Sequence, residues 1–119
     1  MARYIAQVAA AGKAVYPLPL YVNAALRDPL VPNRPPSYES GGPTDNVVGI
    51  WKTAAPAVDL LAPVIYMSDS ARTMKVLDLH RRADSALFVS EIGNAPAYAR
   101  YFFAALGRQA IGFSTFGMD

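Results

Sequence analysis

Apolar residues recur along this chain in two alternating rhythms. From Met1 to Ala11, Tyr4, Ile5, Val8 and Ala9 share one helical face, and Gly12 can close that helix. Ala14 to Val22 reads as an irregular strand emerging into a loop, because Pro17 and Pro19 weaken a central ladder. Asp45 can cap a helix from Asn46 to about Ala55, with Val47, Val48, Ile50, Trp51 and Ala54 on its apolar side and Pro56 limiting it. Val58 to Met67 is a short, nearly continuous apolar run and predicts a buried strand. Ser68 or Asp69 can cap a helix through Arg82. Ala86 to Val89 predicts the next strand, with Glu91 where it ends. Ala95 to Leu106 predicts a helix closed by Gly107, and Ala110 to Phe116 a last strand.

The order is a helix, three strand–helix units and a final strand. Four apolar strands separated by helices predict an α/β fold with a parallel sheet covered on both faces. Right-handed crossovers allow a doubly wound sheet or part of a (β/α) barrel. The chain has no Gly-x-Gly-x-x-Gly turn, which counts against a dinucleotide-binding sheet. The pattern therefore favours half of a (β/α)8 TIM barrel, with residues 1–119 as one partial domain.

Composition narrows the function. At 53% hydrophobic and 17% charged residues the chain is neither disordered nor a solvated linker. A net charge of +2, with basic residues scattered, gives little support to nucleic-acid binding. No apolar run is long enough to span a membrane, so no membrane partner is expected. The chain has no cysteine, one histidine and no acidic cluster, so no metal and no cofactor is expected. The absence of cysteine suits either redox environment and leaves the compartment open. The chain opens without a signal-peptide core, and both ends read as cuts through a larger protein.

In a barrel, functional groups gather at the carboxyl ends of strands. Those ends hold Asn23; Tyr66 with Ser68 and Asp69; Glu91 with Asn94; and Ser114 with Phe116. One strong carboxylate, Glu91, with hydrogen-bonding polar groups and aromatic faces suits a sugar. Glu91 is either catalytic or a cap for the helix after it. Tyr66 is either a site residue or a core tyrosine satisfied by a backbone carbonyl. His80, beside Arg81 and Arg82, reads as a cation favoured by a helix C-terminus. Asp59 and Asp84 precede strands, where charges serve stability. Trp51 reads as core, with a sugar-stacking role open to it.

Four blocks together carry a resemblance. They are Ser40-Gly41-Gly42-Pro43; Trp51-Lys52 through Ala55-Pro56-Ala57-Val58-Asp59-Leu60-Leu61-Ala62-Pro63; Leu87-Phe88-Val89-Ser90-Glu91; and Ile111-Gly112-Phe113-Ser114-Thr115-Phe116-Gly117. In this order they resemble glycoside hydrolase family 35, and more narrowly its bacterial β-galactosidases. The resemblance implies strands five to eight of a catalytic barrel acting on β-galactosides. It makes Glu91 the nucleophile, Tyr66 the residue orienting it, and Asn23 a neighbour of the sugar; Asn94 and Phe116 join them as substrate-binding candidates.

Two positions depart from that pattern: Val64 stands where an aspartate is common, and Ser90 where a proline is common. The resemblance also places an acid/base glutamate on strand four, upstream of Met1. The only other glutamate here, Glu39, lies in the proline-rich stretch from Arg27 to Pro43 and is a poor substitute. The isolated chain is therefore expected to be inactive, and a periplasmic or secreted parent fits the resemblance. A non-catalytic carbohydrate-binding fragment is the rival reading, as is one that self-associates through open barrel edges.

Overall fold

The computed structural model describes residues 1–31, 34–35 and 37–118. Pro32 and Pro36 of the proline-rich stretch, with Asn33 and the terminal Asp119, lie outside the described residues. The remainder is an α/β unit with a four-stranded, wholly parallel sheet and four α-helices.

Helix α1 spans Ala2–Val15 and runs through Gly12 rather than ending there; Tyr16 closes it by donating to the Gly12 carbonyl. A Cβ at Gly12 would meet nothing, so neither crowding nor backbone geometry stops the helix at that point. Strand β1 is Tyr21–Ala24, shorter and later than the predicted Ala14–Val22 strand. Pro17 and Pro19 have no N–H to offer a ladder, and parallel pairing begins only where the Leu20 carbonyl receives Asp59 and Leu60.

A 3-10 turn at Asp45–Val47 leads into α2, Val48–Ala54, so Asp45 does not cap a helix starting at Asn46. Its carboxylate is engaged elsewhere, taking two hydrogen bonds from Arg27 at 2.7 and 2.8 Å. Strand β2 is Leu60–Ile65. Helix α3, Ser70–His80, starts as expected from Asp69, whose side chain accepts the Arg72 N–H at 2.9 Å. It stops two residues short of Arg82, where Arg81 turns extended. Strand β3, Phe88–Ile92, contains Glu91 rather than ending before it.

Helix α4 is Pro96–Leu106, with proline in its first turn, where a missing N–H costs nothing. Gly107 remains right-handed, and the left-handed residue is Gln109 at φ 62°. The Gln109 and Ala110 amides reach back to Leu106 and Ala105, closing the helix with a side-chain-bearing residue where glycine is usual. Strand β4 is Gly112–Thr115.

The sheet order is β1-β2-β3-β4, the same as the chain order. Two clusters form the core. Val48, Trp51, Ala55, Val58 and Leu61 pack beneath α1 and α2; Ile65, Val76, Leu77, Leu87, Val89, Ile92, Tyr101 and Ala105 pack beneath α3 and α4. Leu61 and Ile65 are four apart on one strand, so side-chain alternation puts both clusters on the same face. The expectation of cover on both faces is therefore corrected: every helix lies on one side. Right-handed crossovers between successive neighbouring strands keep every connection on that side, whereas a doubly wound sheet must reverse its strand order.

Asp59 ties α1 to the sheet, accepting from Lys13 Nζ at 2.5 Å and from the Leu20 N–H at 2.7 Å. The Lys13 ammonium, aided by the Leu20 amide, holds this carboxyl below the ordinary aspartate range. Asp84 forms an exposed two-point pair with Arg82. His80 is not the helix-end cation expected: it is 3% exposed, and burial pushes its pKa down despite a hydrogen bond between Nδ1 and the Val76 carbonyl.

Candidate functional site

The site lies on the uncovered face at the carboxyl ends of β2 and β3. Val64 pairs with Glu91 and Ile65 with Ile92. Simple alternation along β3 would put Val89 and Ile92 on opposite faces, yet both belong to the helix-side core. The register against β4 shifts between these two residues, so a bulge inserts an extra position at Ser90–Glu91. That irregularity turns the Glu91 carboxylate away from the core.

Tyr66 stands one residue beyond β2, and its hydroxyl donates a hydrogen bond to Glu91 Oε1. This bond, followed by partial burial and the charge of the carboxylate, raises the Tyr66 pKa to about 12. The phenol thus stays a donor at neutral pH and fixes one carboxylate oxygen. Among the described residues Glu91 Oε2 has no hydrogen-bond partner, which leaves it free to act on a ligand. Phe116 completes the group, its ring edge-to-face with Tyr66 at 6.3 Å and its N–H bonded to the Ile92 carbonyl at 2.9 Å.

Helix α4 holds this arrangement from behind. Tyr98 Oη donates to the Tyr66 carbonyl at 2.7 Å, and Tyr101 Oη and Arg100 Nη2 both reach the Ser68 carbonyl. Gly93 lets Tyr98 approach, since a Cβ there would lie within 2.8 Å of three ring carbons. Tyr98, Arg100 and Tyr101 are the supporting residues that sequence reasoning missed. The available signal was a pair of tyrosines three apart at the start of an otherwise apolar helix, one helical turn from each other.

The structure brings together Tyr66, Glu91 and Phe116. Asn94 lies just beyond β3, exposed, on the side of Gly117. Asn23, exposed on β1, lies on the wall of an open cavity of about 710 Å³ shared with Arg27, Tyr38, Glu39, Tyr66 and Met67. Tyr66 therefore stands between Glu91 and this cavity. Glu39 lines the same cavity from a loop, and no strand holds it in register. Trp51, at 6% exposure, belongs to the core. Among the described residues no group of histidine, cysteine, aspartate and glutamate could hold a metal ion, and no helix is long and apolar enough to cross a membrane.

No protein-family model matches this chain, and no curated protein matches it either.

Proposed function

We propose that this chain is the strand-five-to-eight half of a (β/α)8 glycoside hydrolase barrel of the retaining, β-galactosidase-like kind. Glu91 is its nucleophile and Tyr66 the residue that orients it. The observation that carries the reading is the Tyr66–Glu91 pair: a phenol held protonated against one carboxylate oxygen, with the other oxygen unengaged, at the carboxyl end of a parallel sheet. The one-sided helix layer and sequential strand order support the half-barrel over a doubly wound sheet.

In the proposed first step Glu91 attacks the anomeric carbon, an ester bond forms, and the glycosidic C–O bond breaks with its electron pair going to the leaving oxygen. For an ordinary sugar or alcohol that oxygen must receive a proton from a second carboxyl group, about 5–5.5 Å from the nucleophile in retaining enzymes. Glu39 is the only other glutamate, and its loop position makes it a poor acid. Asn23, Asn94 and the exposed rings of Tyr66 and Phe116 are the groups that would meet the sugar's hydroxyls and its C–H face.

The nucleophile can be tested without the acid. A 2-deoxy-2-fluoro-β-galactoside with a dinitrophenolate leaving group departs unprotonated, and the fluorine slows hydrolysis of the ester formed. Intact-mass and peptide mass spectrometry should find one fluorogalactosyl adduct on Glu91, absent from Glu91→Gln. No adduct, or one that persists in Glu91→Gln, refutes the nucleophile role. Rapid turnover of an unactivated alkyl galactoside, abolished by Glu91→Gln, would instead show the missing-acid argument to be wrong.

A further inference from the structure

We infer that a second site lies at the amino end of the sheet, away from Glu91, where three arginines and Gln109 bind a phosphate group, either the free ion or one carried on a small molecule. The inference uses none of the residues of the proposed glycosidase site and stands whether or not Glu91 is a nucleophile.

The first ground is a local gathering of positive charge. Arg81 and Arg82 follow α3, and Arg108 follows α4. The fold brings these three of the chain's eleven lysines and arginines to the wall of one open cavity of about 450 Å³. Ala86 and Leu87, just before β3, and Gln109, before β4, also line it, and no carboxylate does so among the described residues. Both walls belong to this chain and are tied by backbone. The Ile111 N–H bonds to the Leu87 carbonyl at 2.8 Å, and Arg82 and Ser85 pair across a tight turn.

The second ground is the supply of unused donors. Each guanidinium carries five N–H groups. Arg81 commits one, to Gln109 Oε1 at 2.9 Å. Arg82 commits two to Asp84, and Arg108 one each to Asp78 and the Ala104 carbonyl. Compensation of helix dipoles accounts for only one of the three, because Arg108 alone reaches a carbonyl of a last helical turn. Arg81 instead reaches across from the end of α3 to the loop before β4, and no carboxylate neutralises it among the described residues.

The third ground is Gln109 itself. Its φ of 62° is left-handed, a conformation that glycine adopts with least strain. A glutamine there carries a backbone cost, and its side chain is what that cost retains. The side-chain carbonyl fixes Arg81, so the amide N–H groups remain as further donors in the cavity wall. The donor set also selects the ligand. A carboxylate has two coplanar oxygens and is satisfied by one guanidinium fork, as Asp84 is by Arg82. A tetrahedral phosphate has three outward oxygens and two charges, and needs donors from several side chains.

Isothermal titration calorimetry on the full chain, in a low-salt buffer, tests this with inorganic phosphate and glucose 6-phosphate as probes. At least one should bind saturably, one per chain, with a Kd of about 1 mM or tighter, while glucose gives no heat. Tighter binding of the ester identifies a phosphorylated small molecule as the ligand, and equal binding identifies the free ion. Arg81→Gln should weaken binding at least about tenfold. Arg3→Gln removes the same charge from an exposed position on α1 and should leave binding unchanged. Gln109→Gly relieves the left-handed backbone, so it should melt no lower than wild type and still bind phosphate more weakly. No saturable binding of either probe, equal losses in Arg81→Gln and Arg3→Gln, affinity untouched by Arg81→Gln and Gln109→Gly, or a glutamate-rich peptide bound more tightly than phosphate overturns the inference.

Discussion

Gly93→Ala probes the support beneath the candidate site. Gly93 follows β3, and its N–H bonds to the Ile65 carbonyl at 3.1 Å. A Cβ would point into the Tyr98 ring, 2.7 Å from Cζ and 2.8 Å from Cδ2, closer than real side chains approach. An unanchored ring would swing aside cheaply. This ring is anchored, because Tyr98 Oη is bonded to the Tyr66 carbonyl at 2.7 Å, and moving it breaks that bond. Overpacking of this kind costs about 1–3 kcal/mol, of which the lost hydrogen bond accounts for about 1 kcal/mol. For a domain of this size each kcal/mol lowers Tm by about 4 °C. Urea unfolding of wild type, Gly93→Ala, Tyr98→Ala and the double variant forms a double-mutant cycle. The added methyl should destabilise the wild-type background by at least about 1 kcal/mol and be nearly neutral once Tyr98 is alanine. An equal penalty in both backgrounds would show that something other than the Tyr98 ring opposes the methyl.

Two further outcomes follow from the buried polar atoms. Ser90 Oγ is buried with no hydrogen-bond partner among the described residues, so Ser90→Ala should stabilise the fold by about 1 kcal/mol in urea unfolding; a loss of stability would reveal a partner for that hydroxyl. His80 is held neutral by burial, with its folded pKa below the unfolded value of 6.5. The unfolded chain therefore binds the proton first, so His80's contribution is complete above pH 6.5 and declines as pH falls from there toward the folded pKa. Urea midpoints between pH 8 and pH 5 should fall with acidity in wild type, and the histidine-dependent part of the slope should vanish in His80→Leu; a slope unchanged by that substitution refutes the assignment.

Much of the fold was legible because its signals are local. Apolar runs bounded by polar residues marked the strands, and Asp69 marked the start of α3 by the chemistry of its side chain. Errors arose where a residue's partner is distant in sequence. Asp45 has the right type and position for a cap, but Arg27, eighteen residues earlier, takes its carboxylate. His80 has the right position for a helix-end cation, but the core closes over it. The two-sided burial implied by the strands is a subtler case. Composition reports the environment for which a strand is suited, whereas the helices of one chain report only what that chain covers.

The placement of Glu91 shows how part of a site can be legible while its orientation is not. Sequence pattern alone puts a carboxylate at the end of a buried strand. Strict alternation from Val89, however, would aim Glu91 into the same core as Val89 itself, where an ionised carboxylate is costly. The bulge at Ser90–Glu91 resolves this conflict: Ile92 takes the core position and Glu91 turns to the open face, within reach of Tyr66. The same irregularity leaves Ser90 with a buried hydroxyl lacking a partner. A half-buried acid turned to the open face and a buried orphan hydroxyl on adjacent residues are thus two consequences of one extra residue. A stability cost at Ser90 is physically tied to the orientation of Glu91, as expected where strand regularity gives way to the placement of a functional group.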